Sequence, residues 1–290
     1  GICGIVNGST NYILTKIIDN NLPYKDALLE AQVLGFAETD PALDVEGVDA
    51  ANKLSILLAH AYGIITTPDK LLHRGITQIH ESDAGISAQK NFQIKLIAQA
   101  KKLKNGKVAA AVLPQFVTRH SQLFNVKNEF NGVVVESSFA DKQFLYGKGA
   151  GRFPTASAVL SDISALRYNY KYEYRKLNGV TKNELTTDFF LRLYVSFNSW
   201  KEVDLNNFEY LEELYCQGGR QYLIGVIHYE KLCAADWFQS NELSVIVCPD
   251  GIVDNLEIRN LKRKSLSLGG IKDEEKIEDF VSSNKHALIA

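Results

Sequence analysis

Apolar residues recur at helical spacing in the first third of the chain and at strand-like spacing beyond it. Residues 1–7, GICGIVN, form a short apolar run that ends at Gly8-Ser9-Thr10. Behind it, Tyr12, Ile13, Ile17 and Ile18 line one stripe, which predicts a helix capped by Ser9 and running to about Asn20. Pro23 opens a second helix, KDALLEAQVL, which Gly35 stops. The acidic stretch Phe36 to Gly47, FAETDPALDVEG, contains Pro41 and reads as a loop. A third helix is predicted from Asp49 through AANKLSILLAHAYG, with Gly63 just past its end.

From residue 70 to 150 the pattern predicts strands. Ile94 to Ala100 is β-rich, and Asn105-Gly106 is a hairpin signal before Val108–Leu113. Gly132–Glu136 and Phe144–Tyr146 read as a second hairpin. Next comes GKGAGRFPT, residues 147–155, followed by the helix ASAVLSDISALRY. After about residue 172, YKYEYRKLNG suggests a boundary. Beyond it the pattern predicts strands at Phe189–Phe197, Tyr222–Tyr229 and Leu243–Cys248, and helices at Phe208–Cys216 and Leu232–Phe238. The last forty residues are charged, with Lys262, Arg263 and Lys264 clustered.

Composition places the chain among globular proteins. It has 290 residues, 46% of them hydrophobic and 23% charged, which suits about two domains. The net charge of -2 is no electrostatic footprint for nucleic acid or for an anionic membrane. No apolar run approaches the roughly 18 residues of a membrane span. Cys3, Cys216, Cys233 and Cys248 form no C-x-x-C pair and read as buried free thiols in a reducing, cytoplasmic compartment. The chain begins Gly1-Ile2-Cys3 and holds no Met. It therefore reads either as an internal piece of a longer product or as a sequence from which methionines are missing.

Three places could carry chemistry. Asp49 and Lys53 are four residues apart and share one helical face. Alone this is an ordinary surface ion pair, but the helix around it is apolar at Ala50, Ala51, Leu54, Ile56, Leu57 and Leu58. The loop before it adds Glu38, Asp40 and Asp44, and carboxylates packed beside an apolar helix need a cation or polar ligand. A lysine there could act as general acid or base, and the carboxylates could bind an ammonium group. Asn7-Gly8-Ser9-Thr10 at a helix start offers free N–H groups to a carboxylate, or is a plain capping turn. GKGAG, Gly147 to Gly151, fits neither the P-loop nor G-x-G-x-x-G, but it lets backbone approach a ligand closely. None of the six histidines has metal or triad spacing, and no metal site is expected.

Taken together, GIVNGSTNYILT (Gly4–Thr15), EAQVLGFAETDPALDVEGVDAANKLSIL (Glu30–Leu57) and YGKGAGRFPTASAVLSD (Tyr146–Asp162) resemble the C-terminal part of the homoserine dehydrogenase family. IKLIA, LPQFV and the VVVE strand fall between them in family order. The resemblance covers about residues 1–165. It implies that Lys53 is the proton donor and acceptor at the substrate oxygen, with Asp49 supporting it. Glu38 binds the substrate amino group with Asp44 nearby, and Gly8 and Ser9 touch the substrate. Gly149 and Gly151 lie against the nicotinamide of NADP or NAD, which is bound mostly by an N-terminal domain not represented here. The implied reaction is reversible reduction of L-aspartate 4-semialdehyde to L-homoserine, serving threonine, methionine and isoleucine synthesis. Without the nucleotide-binding domain, the chain is expected to lack turnover by itself.

Departures are few. Phe36 stands where some members carry Tyr, and Ser9 replaces a commoner Thr. The implied fold is α+β, a mixed sheet with helices on one face, whose other face could pair with a second subunit. The expected division is 1–150 for substrate binding and dimerisation, 151–172 for the glycine loop and returning helix, and 173–290 for a smaller C-terminal α/β domain. That tail is either similar to an ACT regulatory unit or an unrelated appendage. It lacks Asp-x-Pro-Gly in its first turn, and one strand is missing from the predicted set. The rival to an enzyme is a non-catalytic dimerisation and amino-acid-sensing module.

Overall fold

The computed structural model describes residues 1–171, 177, 182–217, 220–255 and 257–258. Strands β1 (Ile2–Ile5), β2 (Leu72–His73), β3 (Phe92–Lys102), β4 (Val108–Thr118), β5 (Phe130–Ser137), β6 (Asp141–Lys148), β7 (Phe190–Phe197), β8 (Phe208–Gln217), β9 (Arg220–His228) and β10 (Ser244–Val253) build one mixed sheet. The helices are α1 (Gly8–Asn20), α2 (Tyr24–Val33), α3 (Ala42–Val45), α4 (Val48–Tyr62), α5 (Glu81–Gln89), α6 (Arg152–Leu166), α7 (Tyr229–Ala234) and α8 (Asp236–Gln239). The strand order is β6-β5-β1-β3-β4-β10-β7-β9-β8, with β2 beside β4. Lys262 to Lys264, His286 and most of the YKYEYRKLNG boundary lie outside the described residues.

The β3–β4 hairpin forms at Asn105-Gly106, where Gly106 takes φ +84°. Three separate segments then complete the far edge of β4 in parallel. Leu185 bridges Val108, Leu72 and His73 pair with Ala111 and Val112, and Val247 pairs with Gln115. Alternation along β3 and β4 sends Ile94, Leu96, Ala98, Val112 and Phe116 to one face, where they pack on Ile13, Leu14, Leu54 and Leu58 of α1 and α4. Truncating one of these leucines to Ala costs about 2–5 kcal/mol. The opposite face carries Leu113, Leu193, Val195 and Val247 against Trp237 and Phe238 at α8.

Three expectations are corrected. First, Phe208–Cys216 is strand β8, not a helix. Bulges shift its register between Phe208 and Tyr210 and again between Leu211 and Glu213. Each bulge inserts a residue, so Phe208, Leu211 and Leu214 all face Ile227, Gly225 and Leu223. Spacing by three, the mark of a helix, here comes from two bulges. Second, α5 lies within the stretch expected to be strands. Its start is fixed by a capping box in which Asp83 accepts from the His80 N–H. Third, the acidic loop contains the single turn α3.

With β8 recovered, the last four strands run fourth, first, third, second across an antiparallel array. This is the order of a split βαββαβ unit. The first crossover helix is reduced to 3-10 turns at Trp200–Glu202 and Leu205–Asn207. Of the thiols, Cys248 is buried, Cys3 and Cys216 are half-buried, and Cys233 is exposed rather than buried; all are free. Among the described residues no helix is long and apolar enough to cross a membrane.

Candidate active site

Chain geometry brings the start of α1, the acidic loop and the first turns of α4 together. The hinge is Asn7, which is only 5% exposed. Asn7, not Ser9, caps α1: its side-chain oxygen accepts from the Thr10 N–H at 2.9 Å. Its amide nitrogen then donates to Asp44 Oδ1 at 2.6 Å and to Asp49 Oδ2 at 2.8 Å. One short side chain therefore ties the helix start to both carboxylates.

Lys53 extends along α4 to the same point. Its Nζ donates to Asp49 Oδ2 at 2.6 Å and to the Val6 carbonyl at 3.0 Å. An ammonium has three N–H groups, so one stays free for another acceptor. The expected buried amine is corrected here: the Lys53 side chain is 46% exposed. α4 buries Ala50, Ala51, Leu54 and Leu58 and leaves Asn52 and Lys53 on its outer side. The Asp49 end of the pair is held from behind through Asn7, and the amine is tied to the chain at the Val6 carbonyl.

Ser9 lies in the first helical turn, and its hydroxyl donates to the Phe36 carbonyl at 2.6 Å. The Phe36 ring packs on Tyr12, centroids 4.9 Å apart, so the acidic loop is fastened to α1 at this point. The first intrahelical bond is Asn11 N–H to the Asn7 carbonyl, which leaves the Gly8 and Ser9 amides ahead of the helical ladder. Glu38 is exposed and stands outside the bonded cluster; its backbone carbonyl accepts from Gln32. Asp40 serves the loop itself by accepting from the Ala42 N–H.

The glycine loop approaches from the β5–β6 hairpin. A Cβ on Gly8 would stand 2.8 Å from the Glu129 carbonyl oxygen, and the Glu129 carboxylate pairs with Lys148 at 2.9 Å. Gly149 follows Lys148 directly. A Cβ at Gly149 would lie 1.9 Å from Asn131 Nδ2, and Gly151 takes φ +116° at the start of α6. Asn131 Oδ1 is buried with no protein partner. These features fit the edge of a planar polar ring laid against backbone. Nothing in the loop resembles a diphosphate cradle. Among the described residues no group of three or more His, Cys, Asp or Glu side chains is placed to hold a metal ion.

Sequence reasoning missed two residues. Asn7 was visible only as the first residue of the Asn7–Thr10 turn, whose cap was assigned to Ser9. Lys95, fully buried on β3, gave no signal beyond being a lysine in an apolar strand.

A family model described as homoserine dehydrogenase matches residues 1–164. The homoserine dehydrogenase of Bacillus subtilis is 38% identical over 202 residues, covering 66% of this chain and 46% of that protein. The Helicobacter pylori enzyme is 37% identical over 200 residues, covering 67% and 47%. The crystal structure of a homoserine dehydrogenase from Thiobacillus denitrificans superposes with a TM-score of 0.69 at 26% identity, covering 85% of this chain and 63% of that one. The S. aureus homoserine dehydrogenase structure gives 0.62 at 26% identity, covering 84% and 64%. The chain thus spans less than half the length of these curated relatives.

Proposed function

The chain belongs to the homoserine dehydrogenase family, and we propose that it forms the substrate-binding and proton-transferring part of an enzyme that interconverts L-aspartate 4-semialdehyde and L-homoserine with NAD(P)H. The observation that carries this reading is the Lys53 ammonium, held by Asp49 Oδ2 and the Val6 carbonyl with one N–H left over.

In the direction of reduction, the aldehyde oxygen accepts that N–H. As negative charge develops on the oxygen, the proton passes from Lys53 and leaves the neutral amine. In the reverse direction the neutral amine takes the hydroxyl proton. Asp49 fixes the amine's position through its Oδ2. A nicotinamide seated against Gly149 and Gly151 supplies or accepts the hydride when bound. Asp44, held by Asn7, and the exposed Glu38 offer carboxylates to the substrate ammonium. The free amides of Gly8 and Ser9 suit its carboxylate.

The remaining nucleotide contacts, and the choice between NADP and NAD, are assigned to residues outside these 290, so the isolated chain is expected not to turn over. Helix α6 and strand β6 support an assembly role. Phe153, Val159, Leu160, Ile163 and Leu166 of α6 are exposed, as are Leu145 and Tyr146 of β6. Apolar surface of this extent suits contact with a nucleotide-binding region and with a second subunit in a homodimer. A cytoplasmic location fits the free thiols.

The test is NAD(P)H-dependent reduction of aspartate semialdehyde by the native gene product. Lys53→Ala is expected to lower kcat by about 10²–10⁴-fold with the fold intact. An unchanged rate removes Lys53 from the chemistry.

The split βαββαβ order of β7–β10 favours one addition: the described part of residues 173–290 is an ACT-like unit that binds an effector amino acid. Calorimetric titration with threonine tests this, and no heat change argues against it.

A further inference from the structure

Lys95 has no part in the chemistry above, yet it is fully buried, with 0% of its surface exposed. Its neighbours Ile94 and Leu96 point into the main core. Lys95 points the other way, beyond the end of β1, where the last pair with β3 is Gly4 with Ala98. There its Nζ donates to Asn11 Oδ1 at 3.0 Å and to the Val126 carbonyl at 2.7 Å. Both acceptors are neutral. A buried ammonium without a bonded carboxylate is costly. Burial accordingly lowers its pKa to about 7, with the Asp19 charge opposing that shift and Lys127 adding to it.

These bonds dictate the orientation of Asn11. With its oxygen turned to Lys95, the Asn11 amide nitrogen faces the carbonyls of Val126, Asn128 and Phe130 at 3.2, 2.8 and 3.0 Å. Thr15 adds a further tie, accepting from the Asn128 N–H while donating to the Asn11 carbonyl. The segment 126–130 is thereby locked beneath α1. Gly8 rests on the Glu129 carbonyl within this segment, and Glu129 holds Lys148 next to Gly149. Asn7 fastens the same helix turn to Asp44 and Asp49 from the other side.

We propose that Lys95 is a positioning residue for hydride transfer: through Asn11 it fixes segment 126–130 against the first turn of α1, and so sets Gly8 and Ser9 at a constant distance from the glycine loop. The proposal rests on the reaction assigned above. Lys95 itself touches neither substrate nor cofactor. Its effect is on distance, and a misplacement of about 1 Å can cost about a hundredfold in rate.

The test compares wild type, Lys95→Met and Asn11→Ser in the native gene product, with NADPH and aspartate semialdehyde. Lys95→Met keeps the length of the side chain and removes its donors. Asn11→Ser leaves Lys95 in place and cuts the same link, so it carries the test if Lys95→Met does not fold. In both, kcat is expected to fall roughly tenfold to a hundredfold. KM for aspartate semialdehyde should stay nearly constant, and the primary isotope effect with NADPH deuterated at the transferred position should rise. Hydrogen-exchange protection should drop at the bonded amides of Thr10, Asn11, Asn128 and Phe130. A lowered melting temperature with wild-type kcat and isotope effect would make Lys95 a core residue only and overturn the proposal, leaving the assigned reaction intact. If the wild type does not reduce aspartate semialdehyde, that reaction falls instead. Exchange then decides alone whether Lys95 locks the two segments, and unchanged protection overturns the lock.

Discussion

Asn7 and Lys53 donate to the same oxygen, Asp49 Oδ2, at 2.8 and 2.6 Å. The two donors differ in what surrounds them. Asn7 is buried and can only be a fixed support, whereas Lys53 is half-exposed and faces the open side of the site. This asymmetry suits a proton carrier, because the supporting atom stays still while the amine meets the ligand. It also separates two effects that mutation should resolve.

Lys53→Ala should lower kcat by about 10²–10⁴-fold with little change in melting temperature. A half-exposed ion pair four residues apart on a helix contributes about 0.3–0.5 kcal/mol, so the stability loss should be close to the limit of detection. Thermal melts beside kcat measurements check this. A large drop in melting temperature would show that Lys53 holds the fold rather than serving the chemistry.

Asn7→Ala should do both. It removes the α1 cap, worth about 1 kcal/mol, and leaves Asp44 and Asp49 without a shared donor. At 1.4 kcal/mol per tenfold, losing a buried hydrogen bond to a charged group lowers kcat by roughly tenfold to a hundredfold. The paired readout is a lower melting temperature together with a lower kcat. A variant that is destabilised but fully active would confine Asn7 to capping.

Gly75 gives a steric test of the acidic loop. A Cβ there would stand 1.8 Å from the Val45 carbonyl oxygen, which also accepts from the Ile76 N–H at 2.8 Å. Val45 closes the turn that carries Asp44. Gly75→Ala must therefore push α3 outward, and KM for the amino-acid substrate should rise more than kcat falls. Steady-state kinetics decide; a changed kcat at constant KM would place the effect elsewhere.

Arg74 joins the acidic-loop side of the molecule to the last strands. Its guanidinium donates to the carbonyls of Phe238, Ser240 and Leu243, the latter two at 2.7 and 3.0 Å. Arg74→Met should leave those carbonyls unpaired, at a cost on the order of 2–3 kcal/mol. Loss of exchange protection should concentrate at residues 238–244. Uniform loss across the sheet would instead mean that the whole molecule unfolds as one unit.

Much of this was legible in the sequence, for identifiable reasons. Asp49 and Lys53 declared themselves by spacing, because a helix turns once in 3.6 residues. Asn105-Gly106 announced the β3–β4 hairpin, because few other dipeptides tolerate that turn. What failed did so where tertiary structure overrides a local pattern. The bulges of β8 counterfeit a helical repeat, and α5 depends on a single capping box. Lys95 looks like any solvent-facing lysine until α1 and residues 126–130 are seen to close over it. The residues offered only general chemistry at Glu38 (a carboxylate for an ammonium group) and at Gly149 and Gly151 (backbone close to a ligand), and the specific roles expected of them came from family resemblance.

The burial of Lys95 has a consequence for stability against pH. Its folded pKa is about 7, below the roughly 10.4 of an unfolded lysine. Between these values the unfolded chain holds the proton and the folded chain does not, so stability rises with pH. Below pH 7 both states are protonated, and the folded state carries the full cost of the buried charge. Cys3 and Cys248 act in the opposite sense. Burial pushes both thiols up to about 12, so above about pH 8.5 their unfolded forms ionise first and stability falls. The Lys95 contribution is therefore cleanest between pH 7 and about 8.5. Melting temperatures of wild type and Lys95→Met across that range should show a rise in the wild type that the variant lacks. Parallel curves would mean that Lys95 keeps its proton inside the fold, held by Asp19 more strongly than burial opposes it.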